Sequence, residues 1–202
     1  QNFRPQGVER LGLDYGSLRA RGLGPVYVSI SGYGPDGPFA DHPATDSVMQ
    51  ADSGLMHTNR DAGGTPQRIG LLLADIAAGV YAAQACTAAL LHRTRTAEGS
   101  HVQISLFNVC CALQSTVFSE ELAGAQAARQ PVSAPNGIFD AADGKLTILA
   151  LNNEQFLRIC KAFDLQHWET DPRFASNALR LEHKALLHAE LSRKVAPQSL
   201  AQ

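Results

Sequence analysis

The sequence predicts an α/β chain followed by part of a smaller α+β domain, on three observations. A β-rich run, Val26 to Ile30, ends in the glycine- and proline-dense loop Ser31 to Pro38. A long alanine-rich stretch begins at Asp75 and leads to a second alternating run at Val102, Ile104 and Leu106, giving strand, helix, strand by periodicity. After Gly124–Pro135 the texture changes to a hairpin and amphipathic helices.

The chain opens with Asn2-Phe3-Arg4-Pro5, and a short helical stretch is expected around Tyr15 to Arg21. Segment 31–38 must be a loop, because proline removes backbone donors and glycine admits dihedrals closed to other residues. Val48, Met49, Ala51, Leu55 and Met56 give Asp46–Met56 a helical period, and 57–70 reads as a polar, glycine-rich loop. After a short apolar run, Ile69 to Leu73, Asp75 opens a helix that ends near His92–Arg95. An acid at its start and bases at its end suit the helix dipole. Its many small residues, Ala77, Ala78, Gly79, Ala82 and Ala83 among them, let another backbone approach closely. Ala97-Glu-Gly-Ser100 breaks the chain, and Phe107–Leu122 is expected to be helical.

Gly124–Pro135 reads as a linker, dividing a large domain at 1–123 from a small one at 136–202. In the latter, Gly137-Ile-Phe139, a turn at Ala142-Asp143-Gly144 and Lys145–Leu151 form a hairpin. Helices follow at Asn153–Phe163 and Ala178–Val195, the second with Leu179, Leu186, Leu187 and Leu191 on one side.

Of 202 residues, 45% are hydrophobic and 18% charged, an ordinary globular composition. The formal charge is −2 with no basic stripe, which argues against a nucleic-acid partner. Cys86, Cys110, Cys111 and Cys160 form no CxxC pair, and no histidine cluster has metal-site spacing, so no metal is expected. Cys110 and Cys111 read as small buried hydrophobes. This cysteine usage and the lack of a signal peptide favour a reducing cytoplasm, leaving open a targeting segment before Gln1. Leu71–Leu91 is long enough to span a bilayer, but Asp75, Gln84 and the preponderance of alanine favour a buried helix and no membrane partner.

Gly32-x-Gly34-x-x-Gly37 follows a strand as a dinucleotide fingerprint would. Pro35 interrupts it, however, and Pro38 to Pro43 stands where the pyrophosphate-binding helix should begin, which argues against NAD. Asp75 has two readings: a first-turn residue satisfying free N–H groups, or a nucleophile beside apolar surface. In the second, the helix field would favour its ionised form and small neighbours would leave room for a substrate.

Ordered blocks extend the second reading: Tyr27-Val-Ser-Ile-Ser-Gly-Tyr-Gly-Pro-Asp-Gly-Pro38, Asp46-x-x-x-Gln50-Ala-x-Ser-Gly-Leu-Met56, Arg68-Ile-Gly70, Ala74-Asp-Ile-Ala-Ala-Gly79 and Arg95-Thr-Ala-Glu-Gly-Ser-His-Val102. In order and spacing the chain resembles family III CoA-transferases. Asn2-Phe-Arg-Pro5 and Glu9-Arg-Leu-Gly-Leu13 match an upstream block, and Pro135–Leu151 and Asp171-Pro-Arg-Phe174 resemble the family's smaller domain.

The resemblance implies a Rossmann-like CoA-binding large domain and an interlocked homodimer. It places the catalytic, acylated aspartate at Asp75 and a supporting acid at Asp46. CoA contacts fall on Asn2, Phe3, Arg4, Arg10, His42, Pro43, Ala44 and Thr45. The implied reaction moves CoA from an acyl-CoA to a carboxylic acid acceptor. It needs no cofactor beyond coenzyme A, with backbone N–H groups at the helix start and glycine loop stabilising the oxyanions. Family members are about twice this length, so the chain is expected to be a middle section. Gln130 to Gly137 lacks the glycine run of formyl-CoA transferases, which argues against formyl and oxalyl specificity. A related class, the α-methylacyl-CoA racemases, has a histidine just before the residue matching Asp46; here that residue is Thr45, which is no base at neutral pH. A non-catalytic fragment is the third reading.

Overall fold

A computed structural model describes residues 1–61, 63–124 and 131–200. They fall into two compact units, Gln1–Ala125 and Gln126–Gln202. Of the expected linker 124–135, residues 125–130 lie outside the described residues.

The first unit runs α1 (Pro5–Arg10), α2 (Tyr15–Ala20), β1 (Val26–Ser31), α3 (Asp46–Asp52), α4 (Leu55–Thr58), α5 (Leu73–Thr96), β2 (Ser100–Ser105), α6 (Leu106–Leu113) and α7 (Ser115–Leu122). Helix α1 went unread in the sequence, although Pro5 at its first position is a start signal. Strands β1 and β2 pair in parallel, from Val26 opposite Ser100 to Ser31 opposite Ser105. Parallel strands need a long crossover, and α5 is part of it.

Helix α5 packs on both strands and on α3 and α6. Ala74, Ala78, Ala82 and Ala89 are its buried residues, and their small side chains permit that approach. Met49, Leu55, Leu106, Val109 and Cys110 complete the core. Leu72, Ile76 and Val80, spaced by four residues, stay 54%, 58% and 64% exposed. By length and composition alone α5 could cross a membrane. On the other edge of β1, the Gln1 nitrogen donates to the Val28 carbonyl at 2.7 Å, and Ile30 N–H donates to the Gln1 carbonyl at 2.9 Å. This holds Asn2–Arg4 close to the strand.

Several expected helices have different bounds from those the periodicity suggested. Asp46–Met56 breaks because Gly54 adopts φ +79°, a left-handed turn that separates α3 from α4. Helix α5 starts at Leu73 rather than Asp75. Leu106 is not the last residue of an alternating strand but the first of α6, where Ser105 accepts the Asn108 N–H at 3.1 Å. The stretch 107–122 divides at Gln114, whose buried amide donates to the Ser53 and Cys110 carbonyls at 3.1 and 3.0 Å. Cys110 is buried as expected, whereas Cys111 is only partly so.

In the second unit, β3 (Asn136–Ala141) and β4 (Gly144–Leu149) form the expected antiparallel hairpin, Asn136 opposite Leu149. Helices α8 (Asn153–Ala162), α9 (Asn177–Glu182) and α10 (Lys184–Val195) follow. The single helix expected over 178–195 divides at His183. Its inner stripe is Leu187, Leu191 and Val195, while Leu186 is 39% exposed. Around the stripe close Phe139, Phe156, Trp168 and Phe174.

Candidate active site

Asp75 occupies the first turn of α5, and the unusual feature is how that turn is capped. Leu72, at the N-cap, offers no side-chain acceptor. The acceptor comes instead from Asp46, 28 residues earlier: its Oδ2 receives the Ala74 N–H at 2.7 Å and, more weakly, the Asp75 N–H at 3.4 Å. A carboxylate here satisfies orphan donors and sits at the positive end of the helix dipole. Asp46 is 3% exposed. Although Asp46 opens α3, Thr45 holds the N-cap position of that helix, and the Asp46 carboxylate caps α5 instead.

Gln50, one turn along α3 from Asp46, is fully buried. Its Nε2 donates to Asp46 Oδ1 at 2.7 Å and to the Leu71 carbonyl at 3.2 Å, and its Oε1 accepts the Ile69 N–H at 2.9 Å. No site role was read for Gln50 in the sequence. The available signal was its spacing of four from Asp46, which puts both on one helix face.

Asp75 itself is exposed. Partial burial, and then the nearby charge of Asp46, raise its carboxyl above the ordinary 3.8. Both effects act against the helix field, which by itself would favour the ionised form. The oxyanion expectation also changes. Leu73 N–H is bonded to the Leu71 carbonyl and Ile76 N–H to the Leu72 carbonyl, each at 2.9 Å, while Ala74 and Asp75 N–H face Asp46. The helix start thus has its donors engaged.

A separate concavity of about 350 Å³ gathers Asn2, Phe3, Arg4, His42, Pro43 and Ala44, six of the residues expected to contact CoA. Gly32 makes this possible: a Cβ there would lie 2.2 Å from Ala44 Cβ, so only glycine lets loop 40–44 close onto the end of β1. Arg10 does not line it; its Nε donates to the Gln6 carbonyl of its own helix at 3.1 Å. Thr45 lies just beyond, at the start of α3. The His42 ring packs edge-on to Phe39 and Tyr33, at 5.0 and 6.3 Å. His57 is engaged by Arg60. Among the described residues, no group of three or more His, Cys, Asp or Glu could hold a metal ion.

The model of CoA-transferase family III matches residues 1–202. The succinate–glutarate CoA-transferase of Agrobacterium fabrum is 34% identical over 193 residues, covering 91% of this chain and 47% of that protein. The acetyl-CoA:oxalate CoA-transferase of Acetobacter aceti is 34% identical over 207 residues, covering all of this chain and 53% of that protein. The crystal structure of a CAIB/BAIF family protein from Brucella suis superposes with a TM-score of 0.84 at 30% identity, over 98% of this chain and 54% of that one. The chain thus spans about half the length of the curated relatives it matches.

Proposed function

This chain belongs to CoA-transferase family III, and on that premise we propose that the intact protein moves CoA between carboxylic acids through covalent chemistry on Asp75. The observation that carries this reading is the exposed Asp75 carboxyl on a helix turn whose N–H groups are held by the buried Asp46. The relatives' names support the reaction class.

In the proposed sequence, an Asp75 carboxylate oxygen attacks the donor thioester carbonyl. The C–S bond breaks, giving an acyl-aspartyl anhydride and CoA thiolate. The thiolate then attacks the aspartyl carbonyl, releasing the donor acid as its carboxylate and leaving an aspartyl-CoA thioester. The acceptor carboxylate attacks this thioester, forming a second anhydride and freeing the thiolate. Attack of the thiolate on the acceptor acyl carbon yields the new acyl-CoA and restores Asp75. Each step exchanges acyl derivatives of comparable energy, so the proposal includes no metal, NAD or other cofactor beyond CoA itself.

The concavity holding Asn2, Phe3, Arg4 and His42 is the proposed seat of part of the CoA, with the Arg4 guanidinium as a phosphate partner. Arg10 and Thr45 stay in the proposed CoA set from the family correspondence alone. We further propose a Rossmann-like large domain, an interlocked homodimer and a cytoplasmic location. The exposed Leu72, Ile76 and Val80 on α5 support association, because apolar faces of this kind mark interfaces. Thr45, in place of a histidine before Asp46, weighs against racemase chemistry.

The test is mass spectrometry of the intact protein mixed with acetyl-, succinyl- and other acyl-CoAs, then quenched with hydroxylamine or borohydride. A trapped modification on Asp75 is expected. An adduct on another residue, or turnover without any adduct, would refute the assignment.

A further inference from the structure

We propose that Gln50 is a positioning residue for the reaction of Asp75, holding the Asp46 carboxylate in the rotation that caps α5 and fixing the backbone that leads into it. The inference rests on Asp75 being the nucleophile.

A buried primary amide is costly unless its donors and acceptor are matched. Gln50 matches both N–H donors and its carbonyl oxygen, and every partner lies on one path. Ile69 and Leu71 belong to the backbone entering α5, and Asp46 is the carboxylate that closes the helix's first turn. None of the three bonds serves the rest of the core. The oxygen assignments show the division of labour. Asp46 Oδ1 is taken by Gln50, which turns Oδ2 toward the Ala74 and Asp75 N–H groups. Without the amide, Asp46 could rotate and the 69–71 backbone could shift, moving the turn that carries Asp75. Only a side chain of this length with a donor and an acceptor at its tip makes all three contacts.

Loss of the clamp should slow acylation without comparably weakening CoA binding, because Gln50 does not line the concavity proposed for CoA. The experiment uses the intact protein with Gln50→Met, which removes all three bonds at similar volume. Gln50→Glu, which keeps the acceptor for Ile69 and, when protonated beside Asp46, at most one of the two donors, is the second variant. Rapid mixing with the acyl-CoA that modifies the unsubstituted protein, quenched by hydroxylamine, gives the rate of adduct formation on Asp75. Calorimetry gives CoA affinity, and circular dichroism the fold. Both variants are expected to acylate about 10- to 100-fold more slowly. Their CoA dissociation constants should stay within about three-fold of the unsubstituted value. In an Asp46→Asn background, Gln50→Met should cost less than about three-fold more, because the two residues act as one unit.

Acylation within about three-fold of normal in a folded variant, or fully additive losses with Asp46→Asn, would overturn the proposal. If Gln50→Met fails to fold, the isosteric Gln50→Glu decides. Absence of an Asp75 adduct from the unsubstituted protein would overturn the nucleophile assignment and this proposal together; normal adduct formation in the Gln50 variants would overturn this proposal alone.

Discussion

The second unit closes on large rings and branched chains: Phe139, Phe156, Trp168, Phe174, Leu187, Leu191 and Val195 are all buried, with the Arg180 guanidinium over the Phe156 ring at 4.5 Å. Among the described residues, the buried core of the first unit contains no aromatic side chain. It is built of Met49, Leu55, Ala74, Ala78, Leu106, Val109 and Cys110, and beside it the unit buries Asp46, Gln50, Ser53, Ser105 and Gln114. Aromatic burial is among the strongest stabilising terms per residue, whereas buried polar groups gain little beyond offsetting their own desolvation. The first unit's polar interior therefore needs another explanation. For two of these residues the partners supply one: Asp46 and Gln50 bond to the start of the helix that presents Asp75.

The largest effect that sharpens this contrast should come from the aromatic core. Trp168 stacks with Phe156 at 6.0 Å, meets Phe174 edge-on at 5.5 Å and donates its indole N–H to Glu190 at 3.1 Å. Trp168→Ala is expected to cost the second unit about 3–5 kcal/mol in denaturant unfolding. A loss below about 1 kcal/mol would break the picture of a unit held by its aromatic centre.

The next two predictions concern the CoA concavity in the first unit. Arg4→Ala should weaken CoA binding by about 1.5–3 kcal/mol in calorimetric titration, the usual worth of a hydrogen bond to a charged group. Arg10→Ala should weaken it less, because Arg10 does not line the concavity. The reverse order would move the phosphate site to α1. Gly32→Ala forces its new methyl against Ala44 Cβ, so loop 40–44 must retreat. A stability loss of about 1–3 kcal/mol with weaker CoA binding is expected, and unchanged affinity would show that this loop is not part of the site.

The smallest effects are the pH responses, and they carry opposite signs in the two units. Arg173 hydrogen bonds hold Asp171 down at about 2, against an ordinary 3.8. Its stabilising contribution is present above pH 3.8 and lost as the pH falls toward 2. Asp75 is raised by burial and then by Asp46, so the folded state keeps its proton longer. Stability therefore falls as pH rises from 3.8 through the raised value. In thermal unfolding at neutral pH, Asp171→Asn should lower the midpoint and Asp75→Asn should leave it unchanged or raise it slightly. A lowered midpoint for Asp75→Asn would recast Asp75 as a stabilising helix residue.

Elements defined by local chemistry were legible in the sequence. The β1 run, the glycine–proline loop and the hairpin turn at Ala142–Gly144 follow from residue types that restrict dihedrals or favour extended backbone. Helix divisions at Gln114 and His183 were not, because the apolar period continues across them. At Gln114 the division accompanies side-chain bonds reaching back to Ser53, 61 residues away. Asp75 could be picked out by its place in a motif and at a helix start. The capping of its turn could not, since Asp46 and Ala74 are 28 residues apart and only the packing of α3 on α5 joins them. Likewise Arg4 and His42 converge only because Gly32 admits the loop between them.

The central claim, that the buried Asp46 and Gln50 serve a nucleophile at Asp75, is tested most directly by steady-state CoA transfer in intact Asp75→Ala protein, with its unfolding midpoint measured on the same sample. Several orders of magnitude should be lost from turnover, as for removal of a covalent nucleophile, while the midpoint stays within a few degrees of the unsubstituted protein. Turnover within about ten-fold of normal from a folded Asp75→Ala protein would contradict the account.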